Sequence, residues 1–243
     1  MIKGLFTSAS GMIPHVRRQE IAANNLANAA TPGFKKDGVF TQELSKANQK
    51  LASRKTDWEQ PMMDKTYTDY APGVFDKTGN PLDLAIDGDG FFVLTTPDGQ
   101  TVLTRSGSFT SSAEGLLEFP GGATVMGEGG PVEIGNGQVS ISSSGEVDVD
   151  GIVVARIVPR TVNDLTQLQK IGGSMFVVPE GTELIDVETS TIRQGYLETS
   201  NVDIVAEMVD MITSFRNYEA NARAVQSQDN SLDHLFKRVA GQG

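Results

Sequence analysis

The 243-residue sequence contains no cysteine. That excludes disulfides, cysteine-ligated zinc, iron–sulfur clusters and a thiol nucleophile. Histidine is almost missing: His15 and His234 are the only two, too few for a multi-histidine metal site. Aromatics make up 7% of the chain and apolar runs stop at four or five residues. Nothing approaches the roughly 20 apolar residues that a membrane-spanning helix needs. The start offers one lysine, early polar residues and no apolar signal core, so the chain is expected to be cytoplasmic or exported without a cleaved leader. Positive charge is also short. Lys and Arg number 20 against 31 Asp and Glu, for a net charge of −11. A general nucleic-acid binder needs clustered cations, and this balance argues against one.

What charge there is changes sign along the chain. Residues 1–60 hold nine Lys/Arg and five Asp/Glu, residues 61–200 hold seven and twenty, and residues 201–243 hold four and six. Such a shift marks separate units, and this length predicts one or two domains with a real core.

Both ends carry helical seams. Ile2, Leu5, Ala9, Met12, Val16, Ala23 and Leu26 fall at alternating three- and four-residue steps, with Gln19 in the remaining slot. That is a seam of period 3.5. Pro14 predicts a kink or a late start, at a cost of about 3 kcal/mol in a fixed helix interior. Gly4 and Gly11 weaken the helix further, and Thr31-Pro32-Gly33 ends it. Near the other end, Ser200 or Asn201 reads as an N-cap with Asp203 in the first turn. Val202, Val205, Val209 and Ile212 then keep heptad spacing, Phe215 and Tyr218 follow at three-residue steps, and Ala222, Val225, Asp229, Leu232, Phe236 and Val239 resume the pattern. About 40 such residues make a rod of roughly 60 Å. Two apolar stripes at opposite ends are expected to pack on each other and on neighbouring copies. The predicted assembly face comprises Leu5, Met12, Val16, Leu26, Val205, Val209, Ile212, Phe215, Tyr218, Val225, Leu232 and Phe236.

Between the ends, residues 45–72 are rich in Lys, Gln, Ser and Thr and poor in apolar residues, which predicts a linker or extended arm. Residues 73–198 read as all-β: Leu82, Leu84 and Ile86 alternate, Phe91 to Thr96 and Thr101 to Arg105 flank a Pro97-Asp98-Gly99 turn, and short strands recur between Gly-rich turns as far as Ile192. The expected fold class is α+β, with N- and C-terminal helices (1–44 and 199–243) forming a coiled-coil layer around a sandwich- or barrel-like β domain (73–198).

Sites for chemistry are few. Asp87-Gly88-Asp89-Gly90 has the look of a calcium-loop fragment, but position twelve is Asp98 rather than Glu, and a tight turn feeding a strand is the better reading. The Gly121-Gly122 and Gly127 to Gly130 stretches lack the Lys-Ser/Thr pair and the helix of a phosphate loop. A Ser-His-Asp triad would need His15 or His234, both on the helical ends. Carboxylate pairs are too abundant to single out any glycosidase dyad. No catalytic, metal or cofactor residue is predicted. The residues alone leave three readings: an assembly subunit, an acidic β-domain enzyme or carbohydrate-binding module with helical dimerisation arms, and a regulatory coiled-coil dimer.

Three segments together resemble a known family. Ser8-Ala9-Ser10-Gly11-Met12, Ile21 to Asn28 (with Asn24, Asn25, Leu26 and Asn28) and Thr31-Pro32-Gly33-Phe34-Lys35 stand near the start. Leu82 to Phe92 (with Asp87, Gly88, Asp89 and Gly90) and Thr104-Arg105-Ser106-Gly107-Ser108-Phe109 stand in the middle. Gly195 to Val202 (with Ser200, Asn201 and Val202), Met211-Ile212 and Arg216 to Asn221 stand near the end. In this order they resemble the bacterial flagellar rod and hook family, the axial proteins of the basal body. The resemblance implies a structural subunit with no enzyme activity and no cofactor. It implies passage through the flagellar type III export apparatus without a cleaved signal, and helical polymerisation in a rod that crosses the periplasm. The implied partners are further copies and other rod and hook proteins, with no nucleic acid and no small-molecule substrate. The compact middle and the length point to a rod subunit, proximal before distal.

Overall fold

The structure is a computed structural model that describes residues 2–40 and 65–240, with side chains described for 8–39, 66–231 and 237. The chain opens with α1 (Ile2–Ala27), β1 (Asp37–Phe40), β2 (Lys65–Thr68) and β3 (Phe75–Lys77). There follow β4 (Leu84–Asp87), β5 (Phe92–Thr95), β6 (Thr101–Thr104), β7 (Thr110–Ser111), β8 (Leu117–Phe119), β9 (Ala123–Gly127) and β10 (Gly130–Pro131). Next come β11 (Val139–Ile141), β12 (Glu146–Val149), β13 (Ile152–Arg156) and β14 (Arg160–Thr161). The last strands are β15 (Gln169–Ile171), β16 (Met175–Val177), β17 (Ile185–Asp186), β18 (Thr191–Gln194) and β19 (Tyr196–Glu198), before α2 (Ile204–Ala240). Two compact units result. One holds residues 1–27, 37–69 and 203–243, the other 28–36 and 70–202.

In the β unit the main sheet runs β15-β16-β6-β5-β9-β8-β7 with β10 on β9. A three-stranded sheet, β11-β12-β13, and the pairs β18-β4, β19-β3 and β14-β17 complete it. These sheets are open, and the described strands do not close into a barrel. Strands β5 and β6 are apolar on both faces. Phe92, Leu94 and Val102 point into one core with Ile86, Phe109 and Val125, while Phe91, Val93 and Leu103 point into a second with Phe176 and Val162. Side chains alternate across a strand, so a strand buried on both sides reads as an unbroken apolar run. That is why Phe91-Phe92-Val93-Leu94 shows no alternation. Edge-to-face rings fill both cores: Phe92 on Phe109 at 5.2 Å and Phe91 on Phe176 at 5.8 Å. At Gly107 a Cβ would lie 1.7 Å from the Leu84 carbonyl oxygen. Only glycine fits there, because the Leu84 N–H donates to the Gly107 carbonyl at 3.0 Å.

In the helical unit α1 and α2 pack against each other. The pairing is antiparallel, since Gly11 sits against Asn221 and Asn25 reaches Glu207. Helix α1 begins at Ile2, ahead of Pro14 rather than after it. Helix α2 is 37 residues long, or roughly 56 Å. Asp203 caps it: its side-chain Oδ1 accepts from the N–H groups of Val205 (2.9 Å) and Ala206 (3.1 Å). Sequence reading placed that cap at Ser200 or Asn201, two or three residues early. The linker expected over 45–72 lies in large part outside the described residues; its end forms β2, antiparallel to β1 with Gly38 opposite Tyr67.

Candidate functional site

The motif segments of the β unit meet at a buried cluster of charge. Lys35 lies just past the Thr31-Pro32-Gly33 stop, Arg105 directly follows β6 and Glu198 ends β19; all three are at most 5% exposed. Lys35 Nζ donates to Glu198 Oε1 at 2.5 Å and to the Ala71 carbonyl at 2.8 Å. Arg105 Nη1 lies 3.4 Å from Glu198 Oε2, and the Gly73 N–H donates to Oε1 at 2.9 Å. The backbone closes the same joint, with the Gly33 N–H donating to the Glu198 carbonyl at 2.7 Å. Burial pushes the Arg105 guanidinium below its usual range, and the neighbouring Glu198 and Asp89 carboxylates pull it back up. Its face lies over the Phe91 ring at 5.4 Å. Phe34 is fully buried, with the Lys170 ammonium 3.8 Å from its ring centroid.

Asn201 ties the same segments from outside. Its Oδ1 accepts the Lys36 N–H at 2.8 Å and its Nδ2 donates to the Ala71 carbonyl at 3.1 Å. Ser200 Oγ accepts the Val202 N–H at 3.2 Å and shapes the turn before α2. The family-motif residues at 200 and 201 therefore fix the approach to the helix rather than cap it.

The Asp87 to Gly90 segment is a turn in which several oxygens already have partners. The Ile86 and Gly88 carbonyls accept from Arg105 at 3.3 and 2.8 Å. Ser190 Oγ donates to the Asp89 carbonyl at 2.6 Å, and the Asp87 carboxylate pairs with Arg193. Gly88 has φ +119°, and a Cβ there would meet Ser190 Oγ at 2.6 Å, which accounts for the glycine. Sequence order gave no sign that a guanidinium would occupy the centre of this turn.

In the helical unit, Asn25 acts as a backbone partner. Its Oδ1 accepts the Asp37 N–H at 3.0 Å, and its Nδ2 donates to the Asp37 carbonyl at 2.8 Å and to Glu207 at 3.2 Å. Asn24 is exposed, and Asn28 holds the turn after α1, accepting from the Thr31 hydroxyl at 3.3 Å. His15 is half-buried on α1, and burial followed by the nearby Arg18 holds its pKa below the ordinary value.

The predicted assembly residues divide between two faces. The rows that α1 and α2 turn inward are Gly11, His15, Arg18, Ala22 and Asn25 against Met211, Ser214, Tyr218, Asn221 and Val225, all buried or half-buried. Tyr218 and Val225 therefore belong to the inner row, and Met12 and Leu26 are half-buried. Val16, Val205, Val209, Ile212 and Phe215 are exposed, Val205 at 71% and Ile212 at 55%. Met211, Ile212 and Phe215 line an open groove of about 310 Å³ with Gln19 and Arg216 at its rim. The side chains of Leu5, Leu232 and Phe236 lie outside the described residues. Of the inner row the sequence pattern marked only Tyr218 and Val225 as interface; Gly11, His15, Arg18, Asn25, Ser214 and Asn221 were missed because small and polar side chains at heptad spacing read as a surface.

Known proteins share these segments. Residues 5–35 match the family described as "Flagella basal body rod protein". Residues 85–149 match "Flagellar hook protein FlgE/F/G D1 domain", and residues 193–237 match "Flagellar basal body rod FlgEFG protein C-terminal". The flagellar basal-body rod protein FlgF of Caulobacter vibrioides is 32% identical over 230 residues, covering 93% of this chain and 94% of that protein. FlgF of Mesorhizobium japonicum is 32% identical over 244 residues, covering 98% of each. FlgG of Borreliella burgdorferi is 32% identical over 257 residues, covering 96% of this chain and 97% of its own. The three matched segments are those that carry the Lys35, Arg105 and Glu198 cluster and the paired helices, and the chain belongs to the flagellar basal-body rod protein family.

Proposed function

We propose that this chain is a structural axial subunit of the flagellar rod, that it polymerises helically through its terminal helices, and that it performs no enzymatic reaction. The observation that carries the reading is the pair of apolar stripes left exposed when α1 and α2 meet on their small and polar faces. Val205, Val209, Ile212 and Phe215 are each about half exposed or more. Full burial of one such side chain contributes about 1.5–3 kcal/mol. Neighbouring copies that cover this stripe gain that energy, and a coiled-coil layer of packed helices is its natural form. The partners are further copies and other rod and hook proteins. The site is the rod as it crosses the periplasm, reached in an unfolded state through the flagellar export apparatus. The absence of cysteine suits such passage, since no crosslink has to be undone.

A proximal position in the rod is favoured over a distal one. The alignments to FlgF relatives run over 230 and 244 residues, against 257 for the FlgG relative, so a 243-residue chain meets the first with fewer insertions. Family membership leaves the carbohydrate-binding and regulatory alternatives without a carrier.

The test is Ile212→Asp in the full chain. The variant is expected to keep the hydrogen-exchange protection of β5 and β6 and to lose polymerisation, seen by electron microscopy and by loss of motility when it replaces the parent protein. Normal rods built from Ile212→Asp would refute the exposed stripe as the assembly surface.

A further inference from the structure

Asn136-Gly137 is the one Asn-Gly pair in the sequence. It lies between β10 and β11, with Asn136 exposed. Asn136 and Gly137 form one wall of an open groove of about 600 Å³, with Glu133, Val149 and Asp150 among its other walls. Asp150 turns back over the pair. Its Oδ1 accepts the N–H of Gln138 at 2.9 Å, and a Cβ placed on Gly137 would lie 2.5 Å from its Oδ2. No hydrogen bond from the Gly137 N–H occurs among the described residues. Asp150 is also the one non-glycine residue at positive φ, +53°, among the described residues.

We propose that Asn136 is a self-modifying site, deamidated in the folded protein with the Gly137 nitrogen as nucleophile and the Asp150 carboxylate as the adjacent base. The chemistry needs three things. The amide after Asn must be free to attack, glycine must leave the side-chain carbon accessible, and a base must stand within reach of the N–H. The Gly137 N–H gives its proton to Asp150 as the nitrogen bonds to Asn136 Cγ. The tetrahedral carbon then expels ammonia, which takes up the returned proton, and a five-membered succinimide remains. One water opens either carbonyl to give aspartate or isoaspartate. Either product sets a new carboxylate beside Asp150 and Glu133, and isoaspartate also lengthens the backbone on the approach to β11. Like charges so placed repel, so the groove opens as the protein ages.

The full chain is held at neutral pH and physiological temperature, digested at intervals, and the peptide containing Asn136 is read by mass spectrometry with isoaspartate resolved. Conversion is expected to outpace that of a synthetic peptide spanning residues 131–141. Asp150→Gly is expected to slow it several-fold while leaving the circular dichroism spectrum unchanged, because glycine adopts the left-handed backbone freely and creates no second Asn-Gly pair before Gly151. Conversion in the folded chain no faster than in the peptide, or a rate indifferent to Asp150→Gly, would overturn the proposal.

Discussion

Glu198 meets Lys35 through one carboxylate oxygen and Arg105 through the other, and none of the three reaches water to any useful extent. Removing one partner from such a set strands a buried charge, at about 3–5 kcal/mol. Glu198→Gln is therefore expected to lower the stability of the β unit by that amount in urea, with β5 and β6 amide exchange as the probe. The triple variant Lys35→Met, Arg105→Met, Glu198→Leu is expected to recover part of the loss, since no charge is left unpaired, while the Gly73 N–H and the Gly88 carbonyl lose their side-chain partners. Parent-like stability in Glu198→Gln would mean that the pairing is not what holds these segments. All three residues stood inside legible motifs, yet their burial was not legible. Charged side chains are almost never fully buried, and nothing in the local spacing of Lys35 or Glu198 announces a partner more than 160 residues away.

Among the elements, the helix pair responds to acid through His15. Its folded pKa is lowered by burial and by Arg18, so the folded pair binds fewer protons than the unfolded chain. Its contribution is fully present above the unfolded value of about 6.5 and is lost as pH falls from there through the folded pKa. The protection factors of α1 amides near His15 are expected to fall on acidification, and His15→Gln to remove that dependence; an unchanged pH profile in His15→Gln would assign the effect to another group. The helices themselves were plain in the sequence, as were the strands around Phe92 and Val102. Which helical face turns inward was not. The apolar row at Val16 and Ile212 has the stronger pattern, but the row through Gly11, Ala22 and Ser214 allows the closer approach. Asp203 took the cap for a similar reason: three residues at the start of α2 have capping side chains, and Ser200 and Asn201 were already engaged with Val202, Lys36 and Ala71.

At the scale of the molecule, each unit is assembled from distant parts of the chain. Residues 28–36 follow α1 directly in sequence but belong to the β unit. The amides of Gly33 and Phe34 are therefore expected to exchange at the rate of β5 and β6, and those of residues 18–25 at the separate rate of the helix pair. Exchange of residues 33–34 in step with α1 would refute the division.

The buried charges also act as a test of completeness. Positions 35, 105 and 198 fall in the first, middle and last stretches of a 243-residue chain. A chain of which only the first 190 residues are available holds both cations and lacks the anion that permits their burial. Its β unit has no inexpensive way to close, so it stays open until the final fifth arrives. Partial chains that lack Glu198 are thereby denied a stable β unit.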